Sequence, residues 1–176
     1  PDLLEVTNIN ISNVSCNGAN DGELTAVHTG GRSPYTYLWN DSNNQTGATA
    51  TGLSPGNYSV TVTDSSGCIA ISNASITEPD VLEIVSISSD SAQCYGQADG
   101  FVYVSVNGGT PTYNFNWSFG GTNANTNAPA GLHTVNITDN NGCVVDSMIS
   151  VEQPNEILAT FMRDSVSCLG LSDGWA

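Results

Sequence analysis

Cys16, Cys68, Cys94, Cys143 and Cys168 are the residues of this chain most capable of chemistry. No two of them form the C-x-x-C pair that usually marks a structural zinc site. Their first expected use is therefore as disulfides in an oxidising, extracytoplasmic setting. Reactive thiols and metal ligation are the competing uses. The acidic residues form a second group. Asp21-Gly22, Asp99-Gly100 and Asp173-Gly174 each precede a stretch of strand character. An Asp that bonds nearby backbone, followed by a Gly free to take positive φ, is a turn device. Asp64-Ser65-Ser66-Gly67 and Asp139-Asn140-Asn141-Gly142 resemble half of a calcium loop but lack its distal bidentate Glu. Asp21, Asp64, Asp99 and Asp139 are thus weak calcium candidates whose expected role is to build turns, and no cofactor is expected. His28 and His133 have no Ser or Cys nucleophile in a recognisable elbow, so catalysis by either is not expected. A carboxylate pair for glycoside hydrolysis would need an acidic cluster that neither half of the chain concentrates.

The rest of the composition says what must hold these residues. Seventeen acidic side chains face only two basic ones, Arg32 and Arg163, for a net charge of −15. Such a chain repels phosphate backbones, which are bound by cations that displace counterions. Nucleic acid and anionic membrane surfaces are therefore poor partners, and no nucleic acid is expected. Val, Ile, Tyr and Thr fill the apolar stretches, and Ser, Asn and Gly the intervals, which is strand and turn chemistry. No apolar run reaches the length of a membrane span.

Self-similarity then sets the architecture. Cys16-Asn17-Gly18-Ala19-Asn20-Asp21-Gly22 recurs as Cys94 through Gly100 and again as Cys168 through Gly174. Gly30-Gly31 with Tyr35, Tyr37 and Trp39 is matched by Gly108-Gly109 with Tyr113, Phe115 and Trp117. The run Pro55 to Cys68 is echoed by Pro129 to Cys143, and the units close on Glu78-Pro79-Asp80 and Gln153-Pro154-Asn155. The expected division is a repeat at 1–78, a second at 79–153, and the start of a third at 154–176, each unit about 75 residues long. Within a unit the apolar period is two. Leu24, Ala26 and His28 share one face, as do Tyr35, Tyr37 and Trp39, and Tyr58, Val60 and Val62. This predicts strands near 3–11, 22–29, 34–40, 46–51, 57–63 and 68–77. The expected fold is all-β: tandem, small, immunoglobulin-like antiparallel β-sandwiches. Trp39 and Trp117 should lie in the cores, leaving Phe101, Tyr103 and Trp175, which are out of phase, as the aromatics available for recognition. Each unit is small enough to need a staple. The arrangement of one opening and one closing cysteine predicts Cys16–Cys68 and Cys94–Cys143 bridges within repeats. Cys168 would lack its counterpart because the third unit is incomplete.

With these three motifs in order and repeated, the chain resembles the SprB repeat, found in very long surface adhesins of gliding Bacteroidota and in related secreted proteins. The resemblance covers nearly the whole chain and departs from the pattern where His133 stands in for Tyr58. It implies export by the type IX secretion system, display on the bacterial cell surface, and service in attachment or gliding motility. It also makes Ser91, Ser147 and Ser165 candidates for O-glycosylation, since each lies in an Asp-Ser-apolar triplet of the kind on which Bacteroidota attach glycans.

The leading functional expectation is a non-catalytic stalk segment whose partners are neighbouring repeats of the same long chain. Surface polysaccharide or other filament subunits are further possible partners. The alternatives are a carbohydrate-binding module and an accessory domain of a secreted hydrolase. The junction Ile76-Thr77-Glu78-Pro79-Asp80-Val81-Leu82 has no Gly/Ser linker, and its proline restricts φ. Consecutive repeats are therefore expected to be nearly rigidly coupled, end to end.

Overall fold

The computed structural model describes residues 2–162, and every described element is a β-strand. The first unit contains β1 (Glu5–Ser12), β2 (Gly22–Thr29), β3 (Thr36–Trp39), β4 (Thr49–Leu53), β5 (Gly56–Thr63) and β6 (Ile69–Ile76). The second repeats the series as β7 (Glu83–Asp90), β8 (Gly100–Asn107), β9 (Asn114–Trp117), β10 (Asn125–Ala128), β11 (Gly131–Thr138) and β12 (Val144–Val151). In each unit two three-stranded antiparallel sheets face each other. Their orders are β1-β2-β4 and β3-β5-β6 in the first, and β7-β8-β10 and β9-β11-β12 in the second. That split is the immunoglobulin-like arrangement, in which the third strand leaves the first sheet to pair with the last two.

The alternation read in the sequence decides which side chains are buried. Leu24, Trp39, Ala50, Val60 and Val62 lose all solvent access in the first core, as do Val102, Ala128, Val135 and Ile137 in the second. Trp39 and Trp117 are core residues, and each buried indole N–H is satisfied. Trp39 Nε1 donates to the Gly47 carbonyl at 3.0 Å, and Trp117 Nε1 to Asn123 O at 2.9 Å. The paired glycines after β2 and β8 have a steric cause. Gly30 and Gly108 take φ of 68° and 73°, and a Cβ on either would collide with the carbonyl of Leu3 or Val81 in the incoming chain. Gly31 and Gly109 donate their N–H groups to Asp2 O and Asp80 O at 2.9 and 2.8 Å. The leading segment of each unit is thereby stitched under its second turn.

The copies differ where their lengths differ. In the first, Asp41 is buried after β3 and accepts from the N–H groups of Asn43 and Gln45. The second has a shorter loop there, and Phe119 stacks on Trp117 with ring centroids 5.5 Å apart. Tyr58 and His133 occupy one structural position. The tyrosine hydroxyl donates to Ser54 O at 2.8 Å, and the imidazole Nε2 bonds Pro129 O at 2.7 Å. Since a carbonyl only accepts, His133 carries its proton on Nε2. Each ties the start of its strand to the residue four places earlier, the role of the tyrosine corner in such sandwiches.

Candidate functional site at the repeat junction

Three loops meet where the first unit hands over to the second. The first is the β1–β2 connection, which holds Cys16. Ala19 N bonds Cys16 O at 3.0 Å, and Gly18 at φ 74° turns its N–H onto the Glu78 carboxylate at 2.7 Å. The second is the short connection itself, where Asn17 Nδ2 donates to Pro79 O at 3.0 Å. The third is the β11–β12 turn of the next unit, and it carries Cys143. Asp139 organises that turn with both carboxylate oxygens. Oδ1 accepts from Asn141 N at 2.9 Å and Cys143 N at 2.8 Å, and Oδ2 accepts from Thr110 N at 2.7 Å. Burial opposes ionisation of Asp139. The N–H donors of Thr110, Cys143 and Asn141 outweigh it and hold the carboxyl below its ordinary range.

The first and third of these loops are joined covalently. Cys16 is disulfide-bonded to Cys143, with the Cα atoms 5.7 Å apart. Beside the bridge, Asn141 Nδ2 donates to Ser15 O at 3.1 Å. A cleft of about 400 Å³ remains between Cys16, Asn17, Val81, Leu82 and Val144. Fastening residues 127 apart closes a loop across both sandwiches. In the chain-entropy treatment such a loop stabilises by about 5 kcal/mol.

This corrects the pairing expected from the sequence. Neither Cys16–Cys68 nor Cys94–Cys143 forms, and the reason is strand direction. Cys68 lies just before β6 begins, whereas Cys16 lies by the end of that strand, since Val14 N bonds Thr77 O at 3.3 Å. The eight residues of β6 separate them, a span of roughly 25 Å at strand rise. A disulfide needs Cα atoms within about 7 Å. Cys94 and Cys143 are held apart in the same way by β12, with Ala92 N bonded to Glu152 O at 2.8 Å. Cys68 and Cys94 are exposed and have no partner among the described residues. Cys168 lies outside the described residues.

The other candidates fall as follows. Asp64 repeats the Asp139 arrangement, with Oδ1 on Ser66 N and Cys68 N and Oδ2 on Arg32 N at 3.0 Å. Asp21 and Asp99 brace the Cys16 and Cys94 loops through Ser15 N at 3.0 Å and Gln93 N at 3.1 Å. No group of three or more metal-capable side chains converges among the described residues. Ser91 is exposed just past β7, while Ser147 is half-buried on the inward phase of β12, a poor position for a glycan; Ser165 lies outside the described residues. His28 packs against Tyr35 and Tyr37 and has Nδ1 3.3 Å from the Tyr37 hydroxyl, a structural setting. Phe101 and Tyr103 pair at 4.8 Å on the outer face of β8, and the Tyr103 hydroxyl donates to Asp90 at 2.7 Å. Trp175 lies outside the described residues. The buried Asp41 was missed in the sequence; the Asp-Ser-Asn-Asn run after Trp39 was its only signal.

Fold and junction together define a tandem array of small immunoglobulin-like sandwiches cross-linked from one unit to the next. The SprB repeat family model matches residues 8–44 and 86–122, one stretch in each of the two units. SprB repeats are found in cell-surface proteins. No curated protein matches the chain. Among solved structures, the chain is similar to the N-terminal eight Ig domains of Down Syndrome Cell Adhesion Molecule isoform 1.30.30, at 12% identity and TM-score 0.42. It covers 87% of this chain and 25% of that one, so the chain spans about a quarter of that molecule's length. Two further similarities are to the complex of Dpr11 IG1 with DIP-gamma (12% identity, 88% and 100% coverage, TM-score 0.41) and to the amphioxus IgVJ-C2 molecule (10% identity, 77% and 97% coverage, TM-score 0.35).

Proposed function

We propose that this chain is a stalk segment of a long cell-surface adhesin, a non-catalytic spacer that transmits force between the cell and a distal adhesive region. One observation carries the reading: the Cys16–Cys143 bridge joins different repeats, so the covalent staple fixes the relation between units instead of the interior of one. Hydrogen bonds from Asn17 to Pro79 and from Asn141 to Ser15 support the same joint. The high negative charge keeps such chains soluble and apart from one another. Export by the type IX system and service in attachment or gliding belong to this reading through the SprB resemblance.

A carbohydrate-binding module is the second reading, favoured by the Phe101–Tyr103 pair with Asp90 beside it. Aromatic faces flanked by hydrogen-bonding acids suit sugar rings. Screening the oxidised chain against a polysaccharide and glycan array separates the two. A stalk gives no saturable binding. Binding abolished by Phe101→Ala or Tyr103→Ala would replace the stalk with the module.

A further inference from the structure

Cys94 and Cys68 are not leftover thiols. Each matches one half of the bridge that is formed. The Cys94 loop has the conformation of the Cys16 loop: Gln97 N bonds Cys94 O at 3.2 Å, as Ala19 N bonds Cys16 O at 3.0 Å. Gly96 and Gly18 share φ of 74°, and Gly96 N donates to Gln153 Oε1 at 2.9 Å where Gly18 N donates to Glu78 at 2.7 Å. Cys68 copies Cys143, each with its N–H on the turn aspartate at 2.8 Å.

The surroundings of Cys94 point to a missing occupant. In the formed junction, Cys16, Asn17 and Leu82 line a cleft closed on its far side by Gly142, Cys143 and Val144. At the trailing end of the second unit, Cys94, Tyr95, Asn155 and Ile157 line a matching cleft of about 450 Å³, with no counterpart to the closing turn among its walls. Ile157 holds the place in this segment that Leu4 and Leu82 hold in theirs. Leu4 is 6% exposed beneath Gly31, and Ile157 is 94% exposed.

We infer that the disulfides of this array form a staggered ladder: the opening-loop cysteine of each repeat bonds the closing-turn cysteine of the repeat that follows. Cys94 takes as partner the cysteine of an Asp-x-x-Gly-Cys turn from a complete repeat folded after residue 153, and that turn fills the cleft and covers Ile157. Cys68 is the closing half for an opening cysteine of a repeat preceding residue 1. Each link forms by thiol–disulfide exchange with a small disulfide oxidant of the oxidised-glutathione class. The two protein thiols give up two protons and two electrons, and the oxidant leaves as two thiols. The inference rests on the junction geometry and stands whether or not the chain serves as a stalk.

The test is to duplicate residues 79–153 in place within the full chain, marking the inserted copy with Tyr95→Phe and Met148→Leu. Both positions are exposed. After refolding with oxidised glutathione, disulfides are mapped by mass spectrometry without reduction. The expected links are Cys16 to the first copy of Cys143, and Cys94 to Cys143 of the inserted copy. The number of reactive thiols should match the parent chain, since the insert adds two cysteines and one bridge. A Cys94–Cys143 link within one copy, a Cys94–Cys168 link, or Cys94 still reactive in the extended chain would overturn the ladder. So would absence of the Cys16–Cys143 link, from which the rule is drawn.

Discussion

Asp64 and Asp139 illustrate how a carboxylate in a calcium-like sequence organises a turn through backbone N–H groups. Each accepts from three backbone N–H groups on two separate loops. Burial raises their pKa values, but these donors more than offset it, so both carboxyls stay below the ordinary range. Asp41 is held low in the same way by Gln45 and Asn43 against its own burial. Depressed carboxylates contribute stability that is present above the unfolded value, about 4, and is lost as pH falls through the folded values. Melting temperature should therefore be flat from neutral pH down to about 5 and fall below about 4. Asp139→Asn should shallow that acid limb, as followed by circular dichroism. With their oxygens committed to backbone, the same aspartates give no reason for metal dependence, and EDTA should shift Tm by no more than ~2 °C. A drop of more than about 10 °C, several kcal/mol at this size, would show a calcium site. The turns themselves were legible in Asp-x-x-Gly-Cys. The reach of each aspartate to Arg32 or Thr110 was not, because it depends on where a distant loop packs.

At the scale of elements, period-two alternation placed the strands and their inward faces well, since a one-residue slip would expose every core side chain. It did not place the irregularities near Thr7 and Val85, where β1 and β7 shift register against β2 and β8. A single extra residue leaves composition unchanged and is recognised only against its partner strand. The cores rest on few large side chains, which makes them sensitive. Trp39→Ala or Trp117→Ala should cost about 3–5 kcal/mol. That is most of what a core this small supplies. Denaturant melts should then show the altered unit unfolding early and the other retaining its own transition. A single cooperative loss of both units would mean that neither repeat folds without its neighbour.

The whole molecule is where sequence reasoning went astray, and the cysteines show why. Pairing Cys16 with Cys68 follows from their places at the opening and the close of one repeat, but disulfide choice depends on which ends of the sandwiches meet. The opening loop lies by the end of β6 and the closing turn by its start, so one repeat's opening cysteine can reach only the next repeat's closing one. Hydrogen bonds tie the Pro79 connection to the β1–β2 loop, and the covalent tie across the junction was not foreseen. Replacing Cys16 with Ser should leave both sandwiches folded and loosen their relation. Small-angle scattering should then change from one fixed profile to that of a hinged pair. The most direct measurement is single-molecule pulling of the chain from its two ends, under oxidising and then reducing conditions. With the bridge intact, unfolding should release only the residues outside Cys16 and Cys143. After reduction, the 127-residue separation should add about 430 Å of contour length. Equal extension in the two conditions would contradict a force-bearing joint between the repeats.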